Sequence, residues 1–336
     1  MSRQGQPTMK KPAKTPAKKA AAKKPAASKA KLPAALDHNM FREARAQLLT
    51  IRDLLRYGVS RLNAAEAFFG HGSADVYDEV AYLILHTLHL PLDLLDPFLD
   101  ARLTVSELDA VLQVLEKRAI ERVPAAYLTQ EAWLGEQRFY VDERVIVPRS
   151  FIAELIPARL EPWLQQPEKV TRILDMCTGS GCLAILLALA FPEAQVDAVD
   201  LSRDALAVAS HNVADYALKD RVRLVESNLF AKLKSQRYDL IISNPPYVDA
   251  PSMAGLPAEF RHEPALALAG GKDGLDLVHQ LLRASAAHLN PGGKLLVEIG
   301  HNRDALEAAY PRVAFTWVTV SAGDEFVFML DRGQLP

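Results

Sequence analysis

Cysteine is nearly absent from this chain of 336 residues: only Cys177 and Cys182 occur. They lie five positions apart with no second ligand pair, so the pattern is not that of a zinc site. A disulfide is not expected in a reducing compartment. His86 and His89 share a helix face, but no acidic or cysteine partner clusters with them, and no metal role is assigned. Long apolar runs are missing as well. The longest, Cys182 to Phe191, is too short to span a bilayer. No charged-then-apolar segment opens the chain, so a cytoplasmic address without a membrane partner is expected. Acids are absent from residues 1–36, which hold nine Lys and Arg3 among Ala and Pro. With no hydrophobic period, this stretch reads as a disordered basic tail. Such an arm makes nonspecific contact with RNA or serves only to solubilise, and both readings stay open. The other 300 residues carry 29 Lys and Arg against 41 Asp and Glu, so the folded part is acidic.

What is present is length enough for two domains. From His38 to about Val123 the apolar period is helical. Leu48, Ile51, Leu55, Val59 and Leu62 mark one face of a first helix, and Asp75 to His89 reads as a second, stopped at Leu90-Pro91. A third begins with Thr104-Val-Ser-Glu107, a capping-box pattern. Between Pro124 and Pro148, Trp133, Phe139, Val141, Val145 and Val147 surround Gly135 and suggest a hairpin, with a helix beginning after Arg149. Strands at 172–176, 195–200, 222–226, 238–243 and 293–299 then alternate with helical stretches, which means a parallel sheet. Phe315–Val320 and Glu325–Leu330, joined tightly, form an antiparallel pair at its edge.

Two motifs carry chemistry. Asn244-Pro245-Pro246-Tyr247 follows the apolar strand 238–243, where an open α/β sheet holds its ligands. These residue types suit one task, making a planar NH2 group nucleophilic. The Asn244 oxygen and a backbone carbonyl of the Pro-Pro turn can each accept one N–H, and the Tyr247 ring can pack on the planar group. The second motif is Asp175-Met-Cys177-Thr178-Gly179-Ser180-Gly181, between a short strand and an apolar helix. Its glycines let the backbone approach a ligand, and the turn aims helix N-terminal amides at it. The dinucleotide spacing G-x-G-x-x-G is absent. Asp200, 19 residues after Gly181, ends the next strand where a carboxylate grips ribose hydroxyls. The pair fits S-adenosylmethionine at least as well as NAD.

Further stretches complete a resemblance: Tyr127-Leu-Thr129, Phe139-Tyr-Val-Asp-Glu-Arg144, Val147-Pro-Arg-Ser150, Leu174 to Cys182, Asn244 to Asp249, and Arg261-His-Glu-Pro264. With these, residues from about 39 onward resemble the bacterial protein-glutamine N5-methyltransferases. The relatives that act on release factors usually read P-R-P-x-T-E at the connector. This chain has Pro148-Arg-Ser-Phe-Ile-Ala-Glu154, which favours the branch acting on ribosomal proteins. The resemblance implies a class I (Rossmann-like) methyltransferase sheet, α/β in class, with an N-terminal helical domain and a β-hairpin connector. The divisions are a basic tail at 1–36, a helical substrate-recognition domain at 37–123, the connector at 124–155 and the methyltransferase domain at 156–336.

It also implies S-adenosylmethionine as donor and a glutamine of the third large-subunit ribosomal protein as acceptor. Asp175, Cys177, Thr178, Gly179, Ser180 and Gly181 would hold the methionine end. Asp200 would hold the ribose, with Asn228 and Leu229 bordering the adenine and Asn244 at the junction. Asn244, Pro245, Pro246 and Tyr247 would orient the amide. Asn228 departs from the family, which often has Asp there, and loses charge assistance. Arg149 and Glu154 either order the connector over the site or form a structural ion pair; the second reading is favoured. The alternatives are a release-factor glutamine methyltransferase, a nucleic-acid amino-group N-methyltransferase, and a noncatalytic ribosome-assembly factor.

Overall fold

The computed structural model describes residues 37–73 and 75–336; the basic tail expected at 1–36 lies outside them. Helix α1 (His38–Gln47) is followed by α2 (Ile51–Ala64), α3 (Val76–Thr87) and α4 (Val105–Glu116). The single face expected from Leu48 to Leu62 is therefore broken, with Leu48 closing α1. The cause is Thr50, whose hydroxyl accepts from the Asp53 amide while the Asp53 carboxylate accepts from the Thr50 amide. That reciprocal cap restarts the helix. Thr104 and Glu107 start α4 in the same way. Leu54, Leu62, Val80, Leu83, Ile84, Val111 and Leu115 close the core of this bundle. A π turn, Lys117–Glu121, extends α4 and drives Arg118 into the interior, where it is 1% exposed.

Helix α5 (Ala125–Thr129) leads to β1 (Glu131–Leu134) and β2 (Gln137–Tyr140), paired antiparallel across Gly135. The hairpin expected to reach Val147 ends at Tyr140. There the Asp142 carboxylate accepts from the Arg144 amide at 3.1 Å and bends the chain out of register. Val141, Val145 and Val147 stay buried without joining a ladder. The helix expected after Arg149 is one 3-10 turn, Phe151–Glu154, capped by Ser150.

The main sheet contains β3 (Arg172–Met176), β4 (Gln195–Asp200), β5 (Val222–Glu226), β6 (Tyr238–Ser243), β7 (Leu289–Glu298), β8 (Thr316–Val320) and β9 (Gly323–Asp331). Its order is β5-β4-β3-β6-β7-β9-β8, parallel except for β9, which runs antiparallel to both neighbours. Alternate side chains serve opposite layers: Ile173 packs under α6 (Cys182–Ala190), and Leu174 joins the layer of α9 (Asp276–His288) and α10 (Arg303–Ala309). α7 (Arg203–Asp215) links β4 to β5, and α8 (Ala250–Gly255) follows β6. The helical region and the sheet pack as one compact unit. Strand order reverses between β3 and β6, so the crevice beyond their carboxyl ends is the topological switch point, the usual ligand position. The two sequence motifs follow β3 and β6 directly. No helix among the described residues is long and apolar enough to cross a membrane, and none of them form a metal-binding group of three or more ligands.

Candidate active site

The turn after β3 takes its shape from residues that accept positive φ: Cys177 at +63°, Gly179 at +55° and Gly181 at +79°. The two glycines do different work. A Cβ added at Gly179 meets no atom within 4 Å, because the position opens on the crevice. One added at Gly181 would sit 3.1 Å from Ala209 Cβ, because the turn rests there on α7. The Thr178 hydroxyl donates to Asp175 Oδ2 at 2.5 Å beneath the turn. Burial of Asp175 lifts its carboxyl to about 7, against the pull of that bond. Asp200 ends β4 with Oδ2 accepting from the Gly179 amide and Oδ1 from the Ser202 amide, each at 2.9 Å. Burial raises its pKa above the usual range although both amides oppose this.

The crevice and its open mouth span about 780 Å³. Of the residues singled out in the sequence, Cys177, Gly179, Asp200, Asn228, Leu229, Asn244 and Pro246 line it, joined by the exposed apolar Leu201 and Leu266. A second recess, between the turn and the connector, is lined by Ile146, Pro148, Arg149, Ser150, Thr178 and Ser180. Cys177, Gly179, Asn244 and Ile146 border both spaces. Asp175, Gly181, Pro245 and Tyr247 line neither. Asp175 and Gly181 act from behind, supporting the turn. Burial pushes the Cys177 thiol far up, so it stays a neutral thiol.

Asn244 is held through its neighbour: Ser243 donates from Oγ to the Met176 carbonyl at 2.7 Å, tying the end of β6 to β3. The Asn244 side chain makes no hydrogen bond with the described residues and so faces the junction with its polar groups free. The ring of Tyr247 packs on Gly300, where an added Cβ would come within 2.7 Å. Its hydroxyl donates to Glu298 Oε1 at 3.3 Å. Tyr247 thus buttresses the turn toward the end of β7 rather than lining the crevice.

Several residues that build the site were not assigned roles from sequence. Glu298 accepts from the Ser150 hydroxyl at 2.7 Å and the Phe151 amide at 2.9 Å, joining the connector to Tyr247. Burial raises its carboxyl to about 6 despite those bonds. Glu263 accepts from the Val147 amide at 2.9 Å and from both Arg149 Nη atoms at 2.5 and 2.7 Å. Burial opposes its ionisation, but the nearby His71 ring and the Arg149 guanidinium prevail and hold it at about 2. Arg149 therefore pairs with Glu263, while Glu154 accepts separately from Ser321. Glu259, four residues earlier and fully buried, accepts from Phe68 N, Arg118 and Arg122. The segment after the Asn-Pro-Pro-Tyr turn is thus anchored to the helical region at one end and the connector at the other. Asn212 on α7 accepts from the Tyr140 amide and donates to the carbonyls of Tyr140 and Ser180, pinning hairpin and turn together. An acid at the end of an apolar strand was the one local sign of Glu298; the others are legible only once distant segments meet.

Known proteins resemble this chain. Residues 160–256 match the family model described as methyltransferase small domain. The chain is 60% identical over 298 residues to the ribosomal protein uL3 glutamine methyltransferase of Neisseria meningitidis serogroup B, covering 89% of this chain and 98% of that one. It is 58% identical over 291 residues to the protein of the same description from Bordetella pertussis, covering 87% and 98%. A methyltransferase structure from Pyrococcus furiosus superimposes with a TM-score of 0.41 at 18% identity, over 58% of this chain and 88% of that one.

Proposed function

The chain belongs to the ribosomal protein uL3 glutamine methyltransferases, and from that premise we propose how its residues divide the work. It transfers a methyl group from S-adenosylmethionine to the side-chain amide nitrogen of a glutamine in uL3, the third protein of the large ribosomal subunit. The donor supplies the methyl on a sulfonium, whose sulfur takes the bonding pair as the C–S bond breaks. The crevice suits it: open space over Gly179, a carboxylate at Asp200, and an apolar wall including Leu201, Leu229 and Leu266. Gly179 and Cys177 would border its methionine end, Asp200 its ribose, and Asn228 with Leu229 its adenine.

Asn244 would accept one hydrogen of the glutamine amide, and a backbone carbonyl of the Pro-Pro turn, whose Pro246 lines the crevice, would accept the other. Both bonds draw the nitrogen lone pair out of conjugation and aim it into the crevice. After transfer the N-methylated amide cation is strongly acidic, so its proton leaves to water without a tuned base. Among the carboxyl and imidazole groups of the described residues, only Asp200 lines the crevice, in keeping with catalysis by positioning and polarisation. The observation that carries this reading is Asn244 at the junction of the two spaces with its amide unengaged. Acting on ribosomal protein, the enzyme works in the cytoplasm, with the helical region and connector reading the protein substrate. Mass spectrometry of ribosomal proteins from cells with and without the chain tests this. One methyl on a uL3 glutamine should vanish when the chain is absent; its persistence would remove the assignment.

A further inference from the structure

Ten large hydrophobic side chains stand exposed among the described residues. Two of them, Leu201 and Leu266, belong to the crevice. Four others, Tyr77, Leu92, Leu94 and Trp133, line two adjoining hollows that meet at Tyr82 and together make a trough, each between 42% and 49% exposed. One half of the trough runs between α3 and the segment after it; the other lies between α3 and the hairpin. Tyr82 borders both halves. Exposed apolar groups gathered on one surface mark a contact site rather than chance.

Its charge is one-sided. Asp78, Asp93, Asp96 and Glu131 line it, and no Lys or Arg does. Asp78, Asp93 and Asp96 have no ion-pair partner among the described residues, whereas Glu131 pairs with Arg138 at 3.1 Å. Trp133 is held in place, its indole N–H donating to Glu131 Oε1 at 3.0 Å. Such a fixed, half-exposed aromatic is the usual anchor of an interface.

A second, independent observation points into the same trough. His71 lines it and its side chain is only 3% exposed, yet neither ring nitrogen has a hydrogen-bond partner. Nε2 makes only an ion-pair contact with Glu263 Oε1 at 3.5 Å, without hydrogen-bond geometry, and Nδ1 has no protein partner at all. A buried polar group in that state is costly unless a partner arrives. The trough backs onto the active site: Val147 lines its wall, and Ile146, Pro148 and Arg149 beside Val147 line the recess at Asn244.

We propose that this trough docks a cationic, apolar-studded segment of uL3 flanking the target glutamine, with Trp133, Leu92 and Leu94 taking apolar side chains and the free carboxylates taking Lys or Arg. The proposal rests on the functional reading above. Charge complementarity selects the occupant. Proteins that bind ribosomal RNA are basic, and a wall of carboxylates repels phosphate, so the surface fits a basic polypeptide and not RNA. The docked chain would satisfy His71 and pass over the connector, bringing its glutamine to Asn244.

Kinetics of the full-length enzyme on purified uL3 test it, with Trp133→Ser and, separately, the double change Asp93→Lys with Asp96→Lys. These positions lie on the surface away from the donor crevice, so S-adenosylmethionine affinity by calorimetry reports intact folding. KM for uL3 should rise about tenfold or more in each variant, with kcat at saturation and donor affinity unchanged. KM of the parent should rise with salt, and the double variant should lose that rise. KM equal to that of the parent in both variants overturns the proposal. A fall in KM overturns it too, because it means that the lysine-rich residues 1–36 compete for the trough. If the parent enzyme itself leaves uL3 unlabelled, the functional reading fails and the trough proposal falls with it.

Discussion

At the scale of single residues, the decisive group is the Asn244 amide. Replacing it by Ala leaves one substrate N–H without an acceptor, at roughly 1–3 kcal/mol. Orientation of the nitrogen is lost as well, and each ~1.4 kcal/mol is tenfold in rate. Asn244→Ala should lower kcat on the order of a hundredfold or more and change donor affinity little; single-turnover rates and calorimetry check both, and unaltered turnover would refute the amide clamp. The glycines separate donor binding from packing. Both Gly179 and Gly181 have positive φ, so Ala at either costs about 1–2 kcal/mol of strain. Only Gly179 opens on the crevice, and only Gly181 touches Ala209. Gly179→Ala should therefore weaken S-adenosylmethionine binding beyond its effect on melting. Gly181→Ala should lower the melting temperature more and spare donor affinity. The reverse pattern, read by calorimetry and thermal melting, would exchange the roles assigned to them.

At the scale of elements, the connector is held by Glu263. Removing one partner of a buried ion pair typically costs roughly 3–5 kcal/mol. Glu263→Gln should destabilise the protein on that order near neutral pH and slow turnover more than it weakens donor binding. The pH dependence has a definite sign. The folded pKa of Glu263 is held at about 2, below the ordinary 4.5. Its contribution is therefore fully present above 4.5 and lost as pH falls toward 2. Denaturant unfolding of parent and variant should show a gap that narrows as pH falls below 4.5; a gap constant with pH would mean that Glu263 acts by packing alone. Asp175 works in the other direction, since its raised pKa favours the folded state below the ordinary 3.8 and loses that advantage as pH climbs through about 7. These elements also show what sequence can disclose. The strands, the two motifs and the Thr104 cap were readable because their signals are local. The break at Thr50, the end of the hairpin at Tyr140 and the shortened helix after Ser150 were hidden because a cap or a carboxylate overrode an apolar period. Glu263, Asn212 and His71 gained their roles only where segments over sixty positions apart meet.

At the scale of the whole molecule, charge is divided between a basic first segment and an acidic remainder. No motif lies in residues 1–36, and Leu36–Pro336 form one compact unit. A chain beginning near residue 37 should fold and methylate free uL3 as the full chain does. Any function of the missing segment should appear only as salt-sensitive binding to RNA-containing particles. A shortened chain that folds but cannot methylate free uL3 would contradict this. The central claim is that this fold places one uL3 glutamine amide on Asn244. The most direct measurement incubates the purified enzyme and its Asn244→Ala variant with labelled S-adenosylmethionine, uL3 and a release factor together, and locates the label by peptide mass spectrometry. The expected result is a single methyl on a glutamine side chain of uL3, absent with the variant, and an unlabelled release factor. Label on the release factor instead, on another residue type of uL3, or at equal rate with the variant would contradict it.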